Sequence, residues 1–328
     1  MKKVFIPINT KIPVLKQFPT KETVWGNYEF VIGEKCENYD ILVVLDDLPG
    51  AIITHCSKNN SVLFTGEPPT VKKYPSKYLS QFGHIFSCQK QLLKNGKAKL
   101  SIPPLPWMLV YDFNMVSDGR YNDFDFFNDN VTKTERLDKI CLLTSNKRFS
   151  KGHCERIRFA EKIKIMMPDL IDIYGLGYDK MDVKYDVLSR YKYTIVIENS
   201  SYDDYWTEKI ADAFLAGCYP VYYGPKNIYD FFTKEEMTTI DIHNIDQSIE
   251  SIKNVIKEDL YGKYVKNITT TRNKVLYNYN MFSIISTALD KISYDKSNNI
   301  RTISPLVFPI HYLLQKKIRL FWYQNIYR

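Results

Sequence analysis

Short, continuous apolar runs constrain the fold of this chain more than any other feature of its sequence. The first part of the chain contains the runs KKVFIPI, YDILVVL, SVLFTGE and HIFSCQ. Apolar and polar residues do not alternate within these runs, which is typical of strands that are buried on both faces of a parallel sheet. We therefore predict a parallel α/β sheet in this part of the chain.

A second series of strands and helices follows further along the chain. Its segments are KICLLTSN, the helix CERIRFAEKIKIMM, LIDIYGLG, a short helix near YDVLSRY, YTIVIENS, the helix TEKIADAFLAG, YPVYYG and MTTIDIHN. Strands that alternate with helices of about ten residues indicate βαβ units. We predict an α/β protein with two Rossmann-like domains facing a cleft. Ligands of such sheets bind at the carboxyl ends of strands, which here means the ends of CLLTSN and VIENS.

The two series are separated by a segment without a clear period. It consists of the proline-rich SIPPLPWMLVYDF and the polar, aromatic DGRYNDFDFFNDN, which we interpret as a linker. A chain of 328 residues is long enough for two domains with full cores. We predict an N-terminal domain with its linker at 1–135, a C-terminal domain at 136–300 and a basic tail at 301–328.

Charge and cysteine usage limit the class of partner and the compartment. The 45 Lys and Arg exceed the 37 Asp and Glu by 8, which favours anionic partners and leaves nucleic acid, anionic lipid and phosphorylated ligands open. The 6 cysteines show no CxxC spacing, so we expect reduced thiols in a reducing compartment. The start, MKKVFIPINTK, has too short an apolar run for a signal peptide, and no stretch approaches the length of a membrane span.

The last twenty residues, 309–328, combine an apolar stripe with cations. They contain four Lys or Arg and no acid, and on a helix their larger apolar residues would share one side: Leu314, Ile318, Phe321 and Trp322. Such a helix either lies on an anionic membrane or docks its stripe on the protein. The one-sided charge favours membrane contact, so we expect a cytoplasmic protein that is peripheral on the inner face of a bacterial inner membrane.

A lysine near the start of a predicted helix points to a ligand site. The helix 208–216 has Thr207 as its expected N-cap and Gly217 as its stop, so Lys209 lies in the first turn. The helix dipole disfavours a cation there by about 0.3–1 kcal/mol. A cation at this position is useful when an anion docks on the free N–H groups of the helix N-terminus.

Arg156 is expected to have a similar position in the first turn of the preceding helix. Two helix N-termini that follow strands, each with a cation, would suit a diphosphate. The alternative is that both cations are solvated or pair with a nearby acid, namely Asp203, Asp204 or Glu155. The two cations together favour a site, which would also contain Asn199, Tyr205 and Glu208.

The segment YTIVIENSSYDDYWTEKIADAFLAGCYPVYYGP resembles the signature of the α-1,3-fucosyltransferase family, glycosyltransferase family 10. That signature is an apolar strand, E-N-S, a spacer, Y-x-T-E-K, a helix with A-x-x-A-G, and P-V-x-x-G-P. Upstream, LLTSNKRFSKGHCERIRFAEKI and IDIYG resemble further family segments. LFTGEPP resembles the family's E-S-P segment, with Pro68 in place of serine, and PPLPW resembles bacterial members. The resemblance is close over roughly residues 140 to 245.

The resemblance implies a GT-B fold and a transfer of L-fucose from GDP-fucose to a glycan hydroxyl. The C-terminal domain would hold the donor, and the N-terminal domain would meet an oligosaccharide or glycolipid acceptor, such as a cell-surface or lipopolysaccharide glycan in α-1,3 linkage. Lys209 and Arg156 would contact the diphosphate, and Glu208 would bind the ribose or the fucose. The rest of the implied donor site is Asn199, Tyr205, Ser145 and Asn146.

Inversion at the anomeric carbon requires one general base, and Glu67 is the carboxylate that matches the family's. The alternative for Glu67 is an exposed turn residue. Lys209 and Arg156 would stabilise charge on the leaving phosphate, so no metal or other cofactor is expected. Asp46-Asp47 and the DFD at 123–125 are expected to be surface charge, and His153 a loop neighbour of Cys154.

Three other functions remain open. A nucleic-acid-binding protein would need a basic stripe with interleaved aromatic residues, which this chain lacks outside its tail, so no nucleic-acid partner is expected. An inactive glycan-binding relative would keep the fold, although the intact Asn199, Tyr205, Glu208 and Lys209 argue against it. A transferase using another GDP-sugar or forming another linkage would share the same donor residues.

Overall fold

A computed structural model describes residues 1–8, 14–109, 111, 123–129, 135–295, 298–308 and 317. Apart from residue 317, the tail 309–328 lies outside the described residues, so its expected membrane contact stays a prediction. Within the described residues, contacts divide the chain into two compact units. The N-terminal unit contains the described residues of Met1–Pro106 and Asn278–Ile310, and the C-terminal unit contains those of Trp107–Tyr277.

The elements alternate as the sequence predicts. The strands are β1 (Lys2–Pro7), β2 (Val24–Trp25), β3 (Tyr28–Gly33), β4 (Ile41–Leu45), β5 (Ile52–Cys56), β6 (Ser61–Phe64), β7 (His84–Ser87), β8 (Lys99–Leu100), β9 (Leu137–Leu143), β10 (Ile171–Tyr174), β11 (Tyr191–Ile197), β12 (Tyr219–Tyr223), β13 (Thr238–Thr239) and β14 (Asn298–Ile303). The α-helices are α1 (Ser76–Leu79), α2 (Lys90–Lys94), α3 (Phe124–Asp129), α4 (Lys151–Met166), α5 (Lys184–Leu188), α6 (Glu208–Leu215), α7 (Ile245–Lys257), α8 (Leu260–Tyr277) and α9 (Met281–Leu289). Short 3-10 helices occupy Val14–Gln17, Pro19–Lys21, Lys58–Asn60 and Ile228–Asp230.

The N-terminal unit contains a sheet with the strand order β2-β3-β1-β4-β6-β7-β8. All neighbouring strands are parallel except β2, which pairs antiparallel with β3. β1 lies between β3 and β4, so the order of the strands reverses between β1 and β4. This is the switch point at which open α/β sheets leave a crevice beyond the strand ends.

Helix α9 completes the core of this unit, although the sequence boundaries place it in the C-terminal domain. Its buried residues include Met281, Phe282 and Ile285, which pack with Val4 and Phe30. The Phe282 ring stacks on Phe18 with the ring centroids 3.7 Å apart. The amphipathic pattern of α9 shows that one face is buried but does not show which core buries it. The predicted C-terminal domain therefore ends at residue 300, whereas the observed boundary lies between Tyr277 and Asn278.

β14 follows α9 and pairs antiparallel with β5 in the same unit. The Arg301 guanidinium fixes this strand further, because it donates to the carbonyl oxygens of Cys56 at 3.2 Å, Gln81 at 2.6 Å and Ser57 at 3.3 Å. The first residues of the predicted tail 301–328 are therefore part of the N-terminal unit.

The C-terminal unit contains a parallel sheet with the order β10-β9-β11-β12-β13. Its strand order reverses between β9 and β11. The core combines the strands with α4, α7 and α8, and its fully buried members include Ile140, Ile195 and Ile252. This sheet is the Rossmann-like second half that the strand pattern predicts.

The runs predicted as strands in both halves are confirmed, and several elements have no counterpart in the sequence analysis. β3 and the long helices α7 and α8 are the largest of these. Within the described part of the chain, no helix is both long and apolar enough to cross a bilayer. The described residues include all six cysteines, which are free thiols, and each of them except Cys36 is buried.

Candidate functional site

The N-terminus of α6 begins as the sequence predicts, with Thr207 as the N-cap. The Thr207 hydroxyl accepts a hydrogen bond from the Lys209 backbone N–H at 3.4 Å, and Gly217 after the helix has a φ of +74°. Helix α6 is buried on most of its surface, which includes Ile210 and Phe214. Its first turn is thus held in place by both packing and a cap.

A buried carboxylate that the sequence analysis overlooked lies beneath this turn. Glu198 follows β11 and is 1% exposed. It accepts hydrogen bonds from the Thr207 backbone N–H at 2.9 Å and from the Thr207 hydroxyl at 2.8 Å. Tyr222 donates to it at 3.5 Å from β12. The sequence does contain a signal for this residue: Glu198 directly follows the buried apolar run of β11. A carboxylate at such a position is buried as well and must find a partner.

Lys209 is that partner. Its Nζ lies 3.1 Å from Glu198 Oε2 and 3.6 Å from Glu208 Oε1. Burial alone would lower the pKa of Lys209, but the two carboxylates outweigh it and hold the pKa above its usual value. The same ammonium lowers the pKa of Glu208 against the effect of burial. The acids considered from the sequence as partners of Lys209 are therefore not the ones it contacts.

Arg156 lies in the second turn of α4 and not in the first turn. The helix begins three residues earlier than predicted, because the Ser150 hydroxyl caps it by accepting from the His153 backbone N–H. Arg156 is 6% exposed and donates to Asn199 Oδ1 at 2.6 Å, and to the carbonyl and hydroxyl oxygens of Ser145 at 3.3 Å. Its guanidinium thus joins the residues after β9 and β11 at the point where the strand order reverses.

Two glycines allow the backbone to close around this point. A Cβ on Gly152 would lie 2.1 Å from the Asn199 carbonyl oxygen, so only glycine lets α4 approach the end of β11. Gly175 has a φ of +120°, and a Cβ there would lie 2.0 Å from the Thr144 carbonyl oxygen. The Gly-Leu-Gly at 175–177 forms a tight turn, in which Gly177 also has a positive φ of +89°.

A cavity of about 660 Å³ opens at the carboxyl ends of β9, β10 and β11. Among the described residues that line it are four of the predicted site residues, Ser145, Arg156, Glu208 and Lys209. Asn146, Asn199 and Tyr205 are not among them. Asn199 accepts a hydrogen bond from Arg156, the Asn146 side chain faces Gly177, and Tyr205 is 3% exposed.

Positive charge predominates in the described lining of this cavity. The cations are Lys147, Arg156, Lys180, Lys184 and Lys209, and the carboxylates are Glu208 and Asp212. Lys147, Lys180, Lys184 and Asp212 were not predicted as site residues, since no motif marks them. Adding the buried Glu198 leaves an excess of cations, which suits a ligand with two negative charges such as a diphosphate.

Asp212 and Lys184 form a buried ion pair at one side of the cavity. The Lys184 Nζ lies 2.6 Å from Asp212 Oδ2, and the Met108 backbone N–H donates to Asp212 Oδ1 at 3.0 Å. Burial, aided by the nearby Glu208 and opposed by Lys184, raises the pKa of Asp212 to about 6. Since both carboxylate oxygens already have partners, we assign this pair to the wall of the site.

His153 belongs to the first turn of α4 and not to a loop. Its Nδ1 lies 2.7 Å from the Ser150 hydroxyl. Burial and the positive charges of Arg156, Lys209 and Lys147 lower the pKa of His153 to about 4. The imidazole is therefore neutral at physiological pH and lies within electrostatic range of the two cations of the site.

The N-terminal unit has a cavity of its own, of about 410 Å³, at the reversal between β1 and β4. Its described lining is mainly apolar and includes Leu48, Pro106 and Met281. Asp46 and Gly66 also line it. Glu67 follows Gly66 and is partly exposed, so the candidate base lies on a loop that borders this cavity.

Comparison with known proteins finds a family that the C-terminal part resembles. Residues 133–292 match the family described as glycosyltransferase family 10 (fucosyltransferase) C-term. A viral relative, the "Putative fucosyltransferase R654" of Acanthamoeba polyphaga mimivirus, is 26% identical over 302 residues, which cover 88% of this chain and 42% of the viral protein. The α-(1,3)-fucosyltransferase FucT of Helicobacter pylori is 38% identical over 79 residues, which cover 24% of this chain and 16% of that enzyme. The chain thus spans less than half the length of these two relatives.

The fold is similar to that of solved glycosyltransferases. An α-glucosyltransferase, solved in complex with UDP and DNA, aligns with a TM-score of 0.53 at 11% identity, over 88% of this chain and 98% of its own. The Rossmann-like units with parallel sheets are those of the GT-B class, as the sequence predicts. Residues 133–292 are thus similar to the C-terminal domain of glycosyltransferase family 10, the fucosyltransferase family.

Proposed function

We propose that this protein is a fucosyltransferase that moves L-fucose from GDP-fucose to a hydroxyl group of a glycan acceptor, with inversion and without a metal. The family match supports fucosyl transfer. One structural observation carries the assignment of the donor site: Lys209 and Arg156 line the same cavity at the switch point of the domain that matches the family. In α/β folds this is where nucleotides bind.

In the proposed reaction, the acceptor oxygen attacks the anomeric carbon of fucose while the bond from that carbon to the β-phosphate oxygen breaks. The acceptor proton passes to the carboxylate of Glu67. The negative charge that develops on the departing GDP is stabilised by the Lys209 ammonium and the Arg156 guanidinium. Glu208, beside Lys209, is placed to accept hydrogen bonds from the ribose or the fucose.

In this proposal the cations of the chain that line the cavity stabilise the developing negative charge in place of a metal. We propose that Asn199 and Ser145 hold the Arg156 guanidinium towards the diphosphate. Its two terminal nitrogens are engaged by these residues. Its Nε is buried and has no hydrogen-bond partner among the described residues. Asn146 and Tyr205 are proposed to support the donor site from behind its wall.

The first test is calorimetric titration of the full chain with GDP, UDP and CMP, in EDTA and then with magnesium. Tight binding of GDP in EDTA is the expected result. Binding of UDP that depends on magnesium would overturn both the donor and the metal-free mechanism. Incubation with GDP-fucose and GDP-mannose and a panel of glycans, followed by NMR of the product's anomeric proton, then identifies the sugar, the linkage and inversion.

Substitution of Glu67 tests the acceptor side. We expect Glu67→Gln to lower the transfer rate by about 10²–10⁴-fold, because the proton acceptor is lost. GDP affinity should stay at the wild-type value, since Glu67 belongs to the N-terminal unit and the donor cavity to the other. Equal loss of GDP affinity and transfer would contradict the role of Glu67 as a base.

We further propose a cell-surface or lipopolysaccharide glycan as the acceptor, in α-1,3 linkage, with the protein at the cytoplasmic face of a bacterial inner membrane. The name of the Helicobacter pylori relative supports the linkage, and the four cations of residues 309–328 support the membrane contact. Removal of residues 309–328 should abolish binding to vesicles that contain anionic lipid. Unchanged vesicle binding would refute the contact.

A further inference from the structure

The loop that carries Glu67 is fixed at its backbone by two side chains from outside the loop. The Gly66 backbone N–H donates to Asp46 Oδ1 at 3.1 Å. The Glu67 carbonyl oxygen accepts from Gln89 Nε2 at 2.8 Å. The backbone is thus held one residue before Glu67, at the Gly66 N–H, and immediately after the Glu67 Cα, at its carbonyl group.

Asp46 binds both ends of the loop. Its carboxylate accepts from Gly66 at the start of the loop and forms an ion pair with Lys72 at the end, where Nζ lies 2.5 Å from Oδ2. The Tyr74 hydroxyl also donates to it. Asp46 adopts a φ of +64°, a conformation that is unfavourable for a residue with a side chain. The expectation that Asp46 is merely surface charge was wrong, because its carboxylate has three partners within the N-terminal unit.

Gln89 holds the loop from the other side. It is 4% exposed, and its Nε2 donates to the Lys72 carbonyl oxygen at 2.9 Å as well as to Glu67. Two carbonyl acceptors require the NH₂ group and so fix the orientation of the amide. Gln89 occupies the N-cap position of α2, but its side chain makes no capping bond among the described residues. The hydrogen bonds of its NH₂ group therefore go to the carbonyl oxygens of Glu67 and Lys72.

We propose that Asp46 and Gln89 are positioning residues that set the place of the Glu67 carboxylate, and this inference rests on the proposed role of Glu67 as the base. A general base must lie within hydrogen-bond reach of the proton it removes. A displacement of about 1 Å in a reacting group can cost about 10²-fold in rate. Asp46 and Gln89 act through Glu67 and need no contact with either substrate.

Gln89→Glu is the sharpest single change, because it keeps the size and replaces the NH₂ group by an oxygen that faces two carbonyls. We expect kcat to fall by about 10–100-fold, while GDP affinity and the KM for GDP-fucose stay unchanged. Gln81→Glu is the matched control: its Nε2 also donates to two carbonyl oxygens in the same unit, those of Tyr78 at 3.4 Å and Ser304 at 3.2 Å, and neither belongs to the loop 66–72. This control should keep wild-type kcat.

A double-mutant cycle separates positioning from general destabilisation. If Gln89 acts through Glu67, Gln89→Glu should have no further effect on the residual rate of Glu67→Gln. A loss by the same factor in both backgrounds would overturn the inference. Gln89→Met removes the donors without adding charge and carries the same test if Gln89→Glu does not fold. Asp46→Ala should likewise have no further effect on the residual rate of Glu67→Gln. If the losses of rate from Asp46→Ala and Glu67→Gln are additive, Asp46 is not a positioning residue.

The failure of this inference differs from failure of the proposed function. Wild-type turnover in Gln89→Glu together with a large loss in Glu67→Gln would refute positioning and leave the base in place. Wild-type turnover in Glu67→Gln would refute the base itself. Absence of fucose transfer by the wild-type chain would refute the function.

Discussion

The Lys209 ammonium lies 3.1 Å from the buried carboxylate of Glu198, and both side chains also contact the Thr207 hydroxyl. Glu198 is 1% exposed, whereas a quarter of the Lys209 side chain is exposed towards the cavity. The ammonium is thus paired with a carboxylate inside the protein, while the Lys209 side chain also lines the cavity. The lysine that the helix dipole disfavours is kept in place by this carboxylate.

Lys209→Ala should abolish transfer and weaken GDP binding by about 10–150-fold, which corresponds to the loss of a charge-assisted contact of about 1.5–3 kcal/mol. Calorimetric titration with GDP measures the affinity. Lys139→Ala is the control, because Lys139 also pairs with a carboxylate, Asp172 at 3.3 Å, in the same unit but away from the cavity. A GDP affinity of Lys209→Ala equal to that of the control would exclude Lys209 from the diphosphate site.

Glu198→Gln should lower the free energy of unfolding by about 1–3 kcal/mol, because Lys209 keeps its charge and loses its buried partner. Urea denaturation at pH 7 measures the change. Glu155→Gln removes a pair whose other member, Lys151, is 67% exposed and has its Nζ at 3.4 Å, so stability should change by less than about 1 kcal/mol. A loss no greater in Glu198→Gln than in this control would contradict the inferred strength of the buried pair.

Gly152→Ala should destabilise the protein although alanine is favoured over glycine in a helix by about 1 kcal/mol. The added Cβ would lie 2.1 Å from the Asn199 carbonyl oxygen, so the contact between Arg156 and Asn199 must open. We expect a loss of about 1–3 kcal/mol in thermal or urea unfolding and weaker GDP binding. Gly50→Ala, where no heavy atom lies within 4 Å, should be close to neutral. Unchanged stability of Gly152→Ala would refute the close approach of α4.

His153 should make stability depend on pH. Its pKa in the folded protein is lowered to about 4, whereas an unfolded histidine titrates near about 6.5. As pH falls between these values the unfolded chain binds a proton first, so the wild type should lose stability relative to His153→Asn. Asp212 has the opposite effect on stability. Its pKa is raised to about 6, so the folded protein binds a proton first as pH falls and gains stability. Unfolding curves of both proteins from pH 7 to pH 4 separate the two effects, and parallel curves would contradict the lowered pKa of His153.

GDP binding should be accompanied by proton uptake near pH 5. A diphosphate beside Lys209 and Arg156 would offset the positive charges that help to lower the pKa of His153, so the imidazole would take up a proton. Calorimetric titration in two buffers with different ionisation enthalpies measures the protons taken up. His153→Asn should remove most of this uptake, and equal uptake in both proteins would assign it to another group.

The alternation of buried strands and helices was enough to predict two parallel α/β units, because short, continuous apolar runs are typical of strands that are buried on both faces of a parallel sheet. The same pattern located Thr207 as a cap and Lys209 in the first turn. It did not reveal that Lys209 pairs with Glu198. The two residues meet only because the chain after β11 folds back and brings the start of α6 over the end of that strand. The start of α4 was misplaced because Gly152 weakens the helical pattern between Ser150 and Cys154.

Long-range choices were also beyond the sequence. Helix α9 shows an apolar face, but Phe282 reaches its partner Phe18 across more than two hundred residues. Asp46 and Gln89 carry no motif, and only the folded loop shows that both hold the backbone beside Glu67. Resemblance to a family indicated Glu67 itself, and the residues that support it could not be found in this way.

The return of α9 and β14 to the N-terminal unit has a consequence for the order of folding during synthesis. A ribosome makes residues 1–106 first, yet Met281, Phe282 and Ile285 belong to their core. The described core cluster of the unit that begins at Trp107 reaches only to Ile268, so it can form before α9 has left the ribosomal exit tunnel. The apolar surface of residues 1–106 must therefore wait until α9 has also been translated before it can be fully covered.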